Sequence, residues 1–280
     1  MPTVAELLRA SGLPQLEARA LLACELAATR ESLVAHPERT VAVEPAQRFA
    51  HKVARRLAGE PLAYLAGERE FYGRTFRVGP AVLVPRPETE TLVRLALDLA
   101  NKHQRPAVLD LGTGSGCIAI TLALDAPHAD VTATDTSAAA LEVARANRQA
   151  LGAPVRFVAS NWYAAVEGRF DLIVSNPPYV AQGDPHLPDL RYEPELALLA
   201  GPDGLSCVRP IVASAPAHLK DGGWLLLEHG FDQASQVRQA LSQAGFEEIK
   251  TARDDAGLER VTWGRFNPTS AAQGAIQGET

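Results

Sequence analysis

A short apolar segment that runs directly into two consecutive prolines is the strongest constraint on this chain. Residues Phe170 to Val174 have the composition of a buried strand, and Asn176-Pro177-Pro178-Tyr179 follow after one serine. Each proline fixes its own φ and pushes the preceding residue out of the helical region. The segment must therefore be extended. It keeps every carbonyl group while it lacks two backbone N–H donors.

The chemistry of this segment suits a planar NH2 group. The Asn176 side-chain oxygen and the Pro177 carbonyl offer two acceptors, and Tyr179 offers an aromatic face on which a planar group can stack. Such a nitrogen is a poor nucleophile because its lone pair is delocalised, so aligning it with a strong electrophile is the useful chemistry. We therefore predict catalytic roles for Asn176, Pro177 and Tyr179, with Pro178 completing the substrate contacts. A turn with no function is the structural alternative.

Composition narrows the class of protein. The chain has 280 residues, of which 46% are hydrophobic and 21% charged, as in ordinary globular proteins. Its net charge of −6 gives no overall basic field for nucleic acid. Three cysteines without metal-binding spacing (Cys24, Cys117 and Cys207) fit a reducing compartment. We predict a cytoplasmic protein without a membrane span or metal site.

The chain divides by pattern into four parts. Residues 1–66 read as helices only, and Thr3 with Glu6 predicts a capping box at the first of them. Residues 67–86 predict a linking hairpin with Gly73 in its turn and a short strand at 82–84. Residues 87–266 form the main domain, whose first helix is predicted to begin at Pro87. Residues 267–280 are predicted to be a disordered tail.

From Ala107 onward, strand patterns alternate with helix patterns, which predicts βαβ units around a mainly parallel sheet. Strands are predicted at 108–111, 131–135, 155–159, 170–175, 223–228, 246–251 and 259–264. Helices are predicted at 206–219, where Pro216 should shorten or bend the helix, and at 231–244. The intervening stretch 180–206 is too long for a plain connection, so it is predicted to be a lid or a wall of the site.

The loop Gly112-Thr113-Gly114-Ser115-Gly116 follows the first of these strands. Read from Gly112, the dinucleotide pattern requires glycine at position 117 and meets cysteine; read from Gly114, it is satisfied, but the loop has by then left the strand. A nicotinamide or flavin enzyme therefore remains an alternative. The GxGxG form resembles loops that bind S-adenosylmethionine, whose amino-acid end can approach small residues closely.

Two further residues complete a predicted cofactor site. Asp135 ends a strand 21 residues after Gly114, where a carboxylate can accept both ribose hydroxyls. Trp162 comes after the next strand and can cover an adenine ring. With Asn176 and the loop 112–116, these residues should meet at the carboxyl ends of parallel strands. As structural alternatives, Asp135 caps a helix and Trp162 belongs to the core.

Several motifs together resemble the release-factor glutamine methyltransferase family (PrmC/HemK). The resemblance spans about residues 64–265. It rests on segments 67–73, 85–90 (Pro-Arg-Pro-Glu-Thr-Glu), 109–116, 176–179, 192–198, 201–205 and 222–223. The Asn-Pro-Pro-Tyr motif alone is shared with DNA methyltransferases. The resemblance implies an α/β, class I methyltransferase (Rossmann-like) fold with a mostly parallel seven-stranded sheet, preceded by a small helical bundle that docks the substrate.

The resemblance also implies a reaction. A methyl group would pass from S-adenosyl-L-methionine, leaving S-adenosyl-L-homocysteine, to the glutamine of the Gly-Gly-Gln motif in class 1 peptide-chain release factors. The protein would act as a monomer, without nucleic acid as a direct substrate. Two alternatives stay open on the sequence alone. One is a DNA amino-methyltransferase, which would have to flip its base, and the other is a catalytically silent fold that binds partners.

Overall fold

The computed structural model describes residues 1–268. The chain separates into two compact units, Met1–Arg69 and Glu70–Thr280. The predicted boundaries of the helical part at residue 66 and of the linking hairpin at residue 86 stay predictions. Residues 269–280, which include most of the predicted tail, lie outside the described residues.

The first unit is built from short helices. They are α1 (Val4–Ala10), α2 (Gln15–Leu26), α3 (Arg30–Ala35), α4 (Val43–Leu57) and α5 (Leu62–Ala66). The predicted capping box is present, because the Glu6 carboxylate accepts from the Thr3 N–H at 2.8 Å and the Glu6 N–H donates to Thr3 Oγ1 at 3.2 Å. Apolar side chains from these helices form one core that includes Val4, Leu21, Leu22, Leu33, Phe49 and Val53.

The predicted hairpin is present as strands β1 (Glu68–Phe71) and β2 (Arg74–Arg77), with Gly73 at φ +71° in the turn. The backbone of Arg77 is held by Asn147, a buried residue of the second unit. The Arg77 N–H donates to Asn147 Oδ1 at 2.8 Å, and Asn147 Nδ2 donates to the Arg77 carbonyl at 3.0 Å. Asn147 Nδ2 also donates to the Ser115 carbonyl at 2.9 Å, which ties the hairpin to the glycine loop.

The strand predicted at 82–84 is wrong. These residues belong to no sheet. Val82 lies in a bend, and the Val84 N–H donates to the Glu193 carboxylate at 3.0 Å instead of to a neighbouring strand. The helix predicted to begin at Pro87 begins two residues later, as α6 (Thr89–Ala100). The residues just before it form tight turns, in which the N–H of Thr89 donates to the Arg86 carbonyl at 3.2 Å and that of Glu90 to the Pro87 carbonyl at 3.0 Å.

The main sheet has seven strands within the described residues, in the order β5-β4-β3-β6-β7-β9-β8. They are β3 (Ala107–Leu111), β4 (Asp130–Asp135), β5 (Val155–Ala159), β6 (Phe170–Ser175), β7 (Leu219–Glu228), β8 (Phe246–Arg253) and β9 (Glu259–Phe266). Neighbours from β5 to β7 are parallel, and β9 is antiparallel to both β7 and β8. The predicted α/β fold with a mixed, mostly parallel sheet is confirmed.

Helices cover both faces of the sheet because successive side chains of a strand point to opposite sides. On one face, Val108 packs with apolar residues of α6 and of α7 (Cys117–Asp125). On the other face, Leu109 packs with α9 (Val208–His218) and α10 (Ala234–Gln243). The remaining helix, α8 (Ala138–Leu151), comes after β4. Within residues 1–268, no helix has both the length and the apolar character needed to cross a bilayer.

Candidate active site

The strand register places four residues side by side at the carboxyl edge of the sheet. Leu111 is level with Thr134 on β4 and with Ser175 on β6, and Ser175 is level with Leu227 on β7. The next residue of each strand or adjoining loop is therefore Gly112, Asp135, Asn176 or Glu228. Ligands of open α/β sheets bind at this edge, so the sheet itself assembles the predicted site.

The glycine loop is fixed to β4 by its backbone. The N–H groups of Gly112 and Thr113 both donate to the Thr134 carbonyl, at 2.9 and 2.8 Å. Thr113 Oγ1 donates to Asp110 Oδ2 at 2.6 Å. Burial raises the pKa of the Asp110 carboxyl to about 7, the Thr113 hydrogen bond opposes this, and the charge of Asp135 adds to it.

Gly116 has a different structural role from the other glycines of the loop. Its φ is +83°, and a Cβ there would lie 2.9 Å from Ile120 Cδ1 and 3.2 Å from Ala144 Cβ. The bare backbone therefore lets α7 pack closely against α8. Gly114, at φ +55°, has open space in the Cβ direction.

Asp135 has both carboxylate oxygens engaged with backbone. Oδ2 accepts from the Gly114 N–H and Oδ1 from the Ser137 N–H, each at 2.9 Å. Ser137 itself caps α8, because its side chain accepts from the Ala140 N–H at 3.1 Å. Asp135 thus holds the glycine loop against the start of α8 and is partly exposed. Each carboxylate oxygen retains a lone pair for a ligand.

A cavity of about 300 Å³ opens where these elements meet. Mostly apolar and small residues surround it, with a few polar groups, as is usual for a site that binds a small molecule. Its lining comprises Ala81, Val82, Leu83, Pro85, Arg86, Thr89, Gly112, Thr113, Gly114, Ser115, Cys117, Ile118, Asp135, Thr136, Ser137, Ala140, Ser160, Asn161, Trp162, Asn176, Pro178, Pro194, Leu196, Ala197, Leu199 and Cys207.

Trp162 lies in this lining with an unusual backbone. Its φ is +48°, a conformation that is uncommon for a bulky side chain and is found at functional sites. Ser160 stabilises the turn, because its hydroxyl donates to the Trp162 carbonyl at 2.9 Å and accepts from the Ala165 N–H at 2.9 Å. A Cβ on Gly112 would lie 3.5 Å from Trp162 Cζ3, so the indole rests beside the glycine loop.

The Asn-Pro-Pro-Tyr segment contributes Asn176 and Pro178 to the lining. Asn176 Nδ2 donates to Thr89 Oγ1 at 3.2 Å. Pro177 is buried and, like Tyr179, is not among the lining residues of this cavity. The Tyr179 carbonyl accepts from Gln233 Nε2 at 3.0 Å, and burial raises the pKa of its phenol to about 12. The predicted roles of Pro177 and Tyr179 stay predictions.

The stretch 180–206 forms a wall of the cavity. The N–H of Val180 donates to the Leu198 carbonyl at 2.9 Å, and the Val180 carbonyl accepts from the Ala200 N–H at 2.9 Å. Two 3₁₀ turns, Leu187–Leu190 and Glu195–Ala197, interrupt the stretch.

This wall carries a connection that the sequence did not reveal. Buried Glu193 pairs with Arg86, the arginine of the Pro-Arg-Pro-Glu-Thr-Glu segment. Glu193 also accepts the Val84 N–H, so one carboxylate joins the segment 84–86 to the wall.

Thr89 and Glu228 were also missed. Thr89 begins α6 and lines the cavity, and Glu228 ends β7 with only 1% of its surface exposed. The useful signal was an acid that closes the apolar run Trp224-Leu225-Leu226-Leu227, just as Asp135 closes β4. In the part of the chain that the structure describes, no three His, Cys, Asp or Glu side chains come together as a metal site would require.

Comparison with known proteins agrees with this geometry. The family described as methyltransferase small domain matches residues 89–188, and the PrmC N-terminal domain matches residues 3–67. The hMettl16 catalytic domain shares the fold with a TM-score of 0.57 at 16% identity over 78% of this chain and 81% of that one. The T. thermophilus 16S rRNA N2 G1207 methyltransferase does so with 0.55 at 22% identity, over 71% and 49%. Fold and site together define a methyltransferase.

Close relatives in sequence give the particular family. A release factor glutamine methyltransferase of Burkholderia pseudomallei is 49% identical over 94% of this chain and 96% of its own length. One of Bordetella pertussis is 51% identical over 94% and 99%. The chain belongs to the release factor glutamine methyltransferase family, which confirms the resemblance seen in the sequence. These relatives support the protein-glutamine interpretation over the DNA alternative.

Proposed function

We propose that this protein methylates the side-chain amide nitrogen (N5) of the glutamine in the Gly-Gly-Gln motif of class 1 peptide-chain release factors. The supporting observation is the position of Asn176, which lines the same cavity as the glycine loop and Asp135. An amide-orienting group and a cofactor-type loop therefore share one space. We further propose that the protein acts as a monomer in the cytoplasm, where release factors work.

The lining fits S-adenosyl-L-methionine as methyl donor. Gly112, Thr113, Gly114 and Ser115 would hold its amino-acid end close to the backbone, Asp135 would accept its ribose hydroxyls, and Trp162 would cover its adenine. The bound cofactor supplies an electrophilic methyl group: a sulfur–carbon bond breaks, a nitrogen–carbon bond forms, and S-adenosyl-L-homocysteine and a proton leave. Gly116 contributes through the packing of α7 and α8 that shapes the loop.

The residues of this chain would act on the substrate by orienting its amide group. An amide nitrogen shares its lone pair with the carbonyl, so its reactivity depends on how it faces the methyl group. Asn176 Oδ1 would accept one N–H, and the Pro177 carbonyl would be the second acceptor. The phenol of Tyr179 is protonated at neutral pH, and burial raises its pKa further, to about 12. It would therefore act as a neutral ring that limits the tilt of the substrate amide.

The direct test is the intact mass of a purified release factor after incubation with the protein and S-adenosyl-L-methionine. We expect a gain of one methyl group on the Gly-Gly-Gln form and none on its Gly-Gly-Glu form. Duplex DNA serves as the competing substrate in a parallel reaction. Methylated DNA beside an unmodified release factor would refute the proposal.

A variant separates orientation from cofactor binding. Asn176→Ala should lower kcat by about 10²–10³ because a lost orienting contact typically costs that much. Its affinity for S-adenosyl-L-methionine, measured by calorimetry, should change little. Tyr179→Phe should be milder than Tyr179→Ala if the ring face is what acts. Equal activity of Asn176→Ala and wild type would contradict the assigned role.

A further inference from the structure

A buried carboxylate lies directly behind Asn176. Glu228 ends β7 and is level with Asn176, because Ser175 and Leu227 are register partners in the preceding position. Only 1% of the Glu228 surface is exposed, and the residue is not part of the cavity lining. It therefore cannot meet a substrate directly and can act only through a neighbour.

Thr89 stands between the two. Its Oγ1 accepts from Asn176 Nδ2 at 3.2 Å, and its own hydroxyl proton remains to be donated. Hydrogen bonding from Thr89, and more weakly from Asn176, favours the charged form of Glu228. Glu228 Oε2 is buried and has no hydrogen-bond partner among the described residues. Once Thr89 donates its single hydroxyl proton to the Glu228 carboxylate, it presents only an acceptor to Asn176, which suits the NH2 group and not the oxygen.

We propose that Glu228, acting with Thr89, is the positioning residue that keeps the Asn176 NH2 turned into the protein and its Oδ1 turned toward the cavity. This inference rests on the proposed function. It gives the site a requirement: the substrate nitrogen must carry an N–H that it can donate to Asn176 Oδ1. A primary amide meets this requirement, and a carboxylate does not.

The protonation of Glu228 should control this arrangement. A carboxylate accepts from Thr89 and Asn176, whereas a protonated carboxyl can donate to Asn176 Oδ1 and permit the amide to turn over. Burial is the main reason that the pKa of Glu228 rises to about 7. The charged and titratable groups that face it are Arg260, which lowers that pKa, Glu88, which raises it, Tyr179 and Cys117. Tyr179 and Cys117 keep their protons near neutrality, since burial raises both pKa values to about 12.

The test compares full-length Glu228→Gln with the wild type, using release factor as substrate. Glutamine keeps the shape but can donate to Asn176 Oδ1, so we expect kcat to fall about 10–100-fold while cofactor affinity stays within about twofold. Glu247→Gln, an exposed acid on β8, is the matched control and should keep full activity. Thr89→Val should also lower kcat, whereas Thr89→Ser should keep the activity because serine retains the hydroxyl.

A spectroscopic measurement excludes a merely structural role. The ¹⁵N side-chain resonances of Asn176, assigned with Asn176→Ala, should shift with a midpoint near pH 7 in the wild type and stay constant in Glu228→Gln. The variant also distinguishes Glu228 from Asp110, whose pKa is raised to about 7 as well. Because Asp110 is intact in Glu228→Gln, loss of the pH dependence there assigns the titration to Glu228.

The outcomes separate the two proposals. If the wild type methylates the release factor and Glu228→Gln keeps its kcat, the positioning role is wrong and the proposed function stands. An unmodified release factor with the wild type overturns both. Loss of kcat in Glu228→Gln with a pH-dependent Asn176 signal that persists would also reject Glu228 as the group that orients the amide.

Discussion

Glu193→Ala is the sharpest test of how the cavity wall is held. The Glu193 side chain is 3% exposed, and it binds both the Val84 N–H and the Arg86 guanidinium. Hydrogen bonds to charged groups contribute about 1.5–3 kcal/mol each, and breaking a buried ion pair costs about 3–5 kcal/mol. Because Arg86 is 34% exposed and can be hydrated again, we expect a loss of ~2–4 kcal/mol in the free energy of unfolding.

Urea denaturation followed by tryptophan fluorescence measures this loss. All three tryptophans, Trp162, Trp224 and Trp263, lie in the second unit, so the signal reports on the unit that contains Glu193. The wall lines the cavity, so calorimetry should also show weaker binding of S-adenosyl-L-methionine.

A matched pair nearby provides the control. Arg209→Ala removes an ion pair with Asp203 in which both side chains are about half exposed, and such pairs contribute only about 0–1 kcal/mol. A double-mutant cycle of Arg86 and Glu193 should return a clear coupling energy. If Glu193→Ala unfolds no more easily than Arg209→Ala, the carboxylate does not hold the wall.

Three further outcomes are expected. Asp135→Ala should weaken binding of S-adenosyl-L-methionine about 10–100-fold in calorimetry, because a charged acceptor contributes about 1.5–3 kcal/mol; unchanged affinity would leave Asp135 a purely structural role. Gly116→Ala should cost about 1–3 kcal/mol in denaturation, since its Cβ meets Ile120 and Ala144, whereas Gly114→Ala should cost less because its Cβ meets open space. Burial raises the pKa of Glu228 from 4.5 to about 7, so the folded protein binds more protons than the unfolded chain in that window and loses stability as pH rises through it. Glu228→Gln should therefore be more stable than wild type by about 1–3 kcal/mol at pH 8 and gain nothing near pH 4; equal gains at both would contradict the pKa.

The sequence predicted the strands well because their signal is local. Central runs such as 108–111 and 170–175 are short and mainly apolar, and a strand buried on both faces needs little more than that. The same locality predicted Gly112, Asp135, Trp162 and Asn176 as residues of one edge. Parallel strands bring the residues beyond their carboxyl ends to one side of the sheet, whatever the distance between those residues along the chain.

The false strand at 82–84 and the missed site residues have a different cause, which is dependence on distant partners. The residues at 82–84 have a strand composition, yet the N–H of Val84 is satisfied by Glu193, 109 residues further along the chain. The roles of Thr89 and Glu228 likewise depend on Asn176, which lies beside Glu228 through the β6–β7 register and donates a hydrogen bond to Thr89. No window of sequence contains these pairs, so a local pattern could mark Glu228 as the acid that ends an apolar run but could not predict its partners.

The hydrogen bonds of Asn147 have a consequence for how the second unit opens. One buried amide group binds both the backbone of Arg77 and the carbonyl of Ser115. If either backbone segment becomes exposed to solvent, part of the buried amide loses its hydrogen-bond partner. Strand β2 and the glycine loop should therefore unfold as one cooperative element. Amide hydrogen exchange would then give the Arg77 N–H the same opening free energy as the loop. A ligand that binds in the cavity and stabilises the glycine loop would then also slow amide exchange in the hairpin, although the hairpin does not line the cavity.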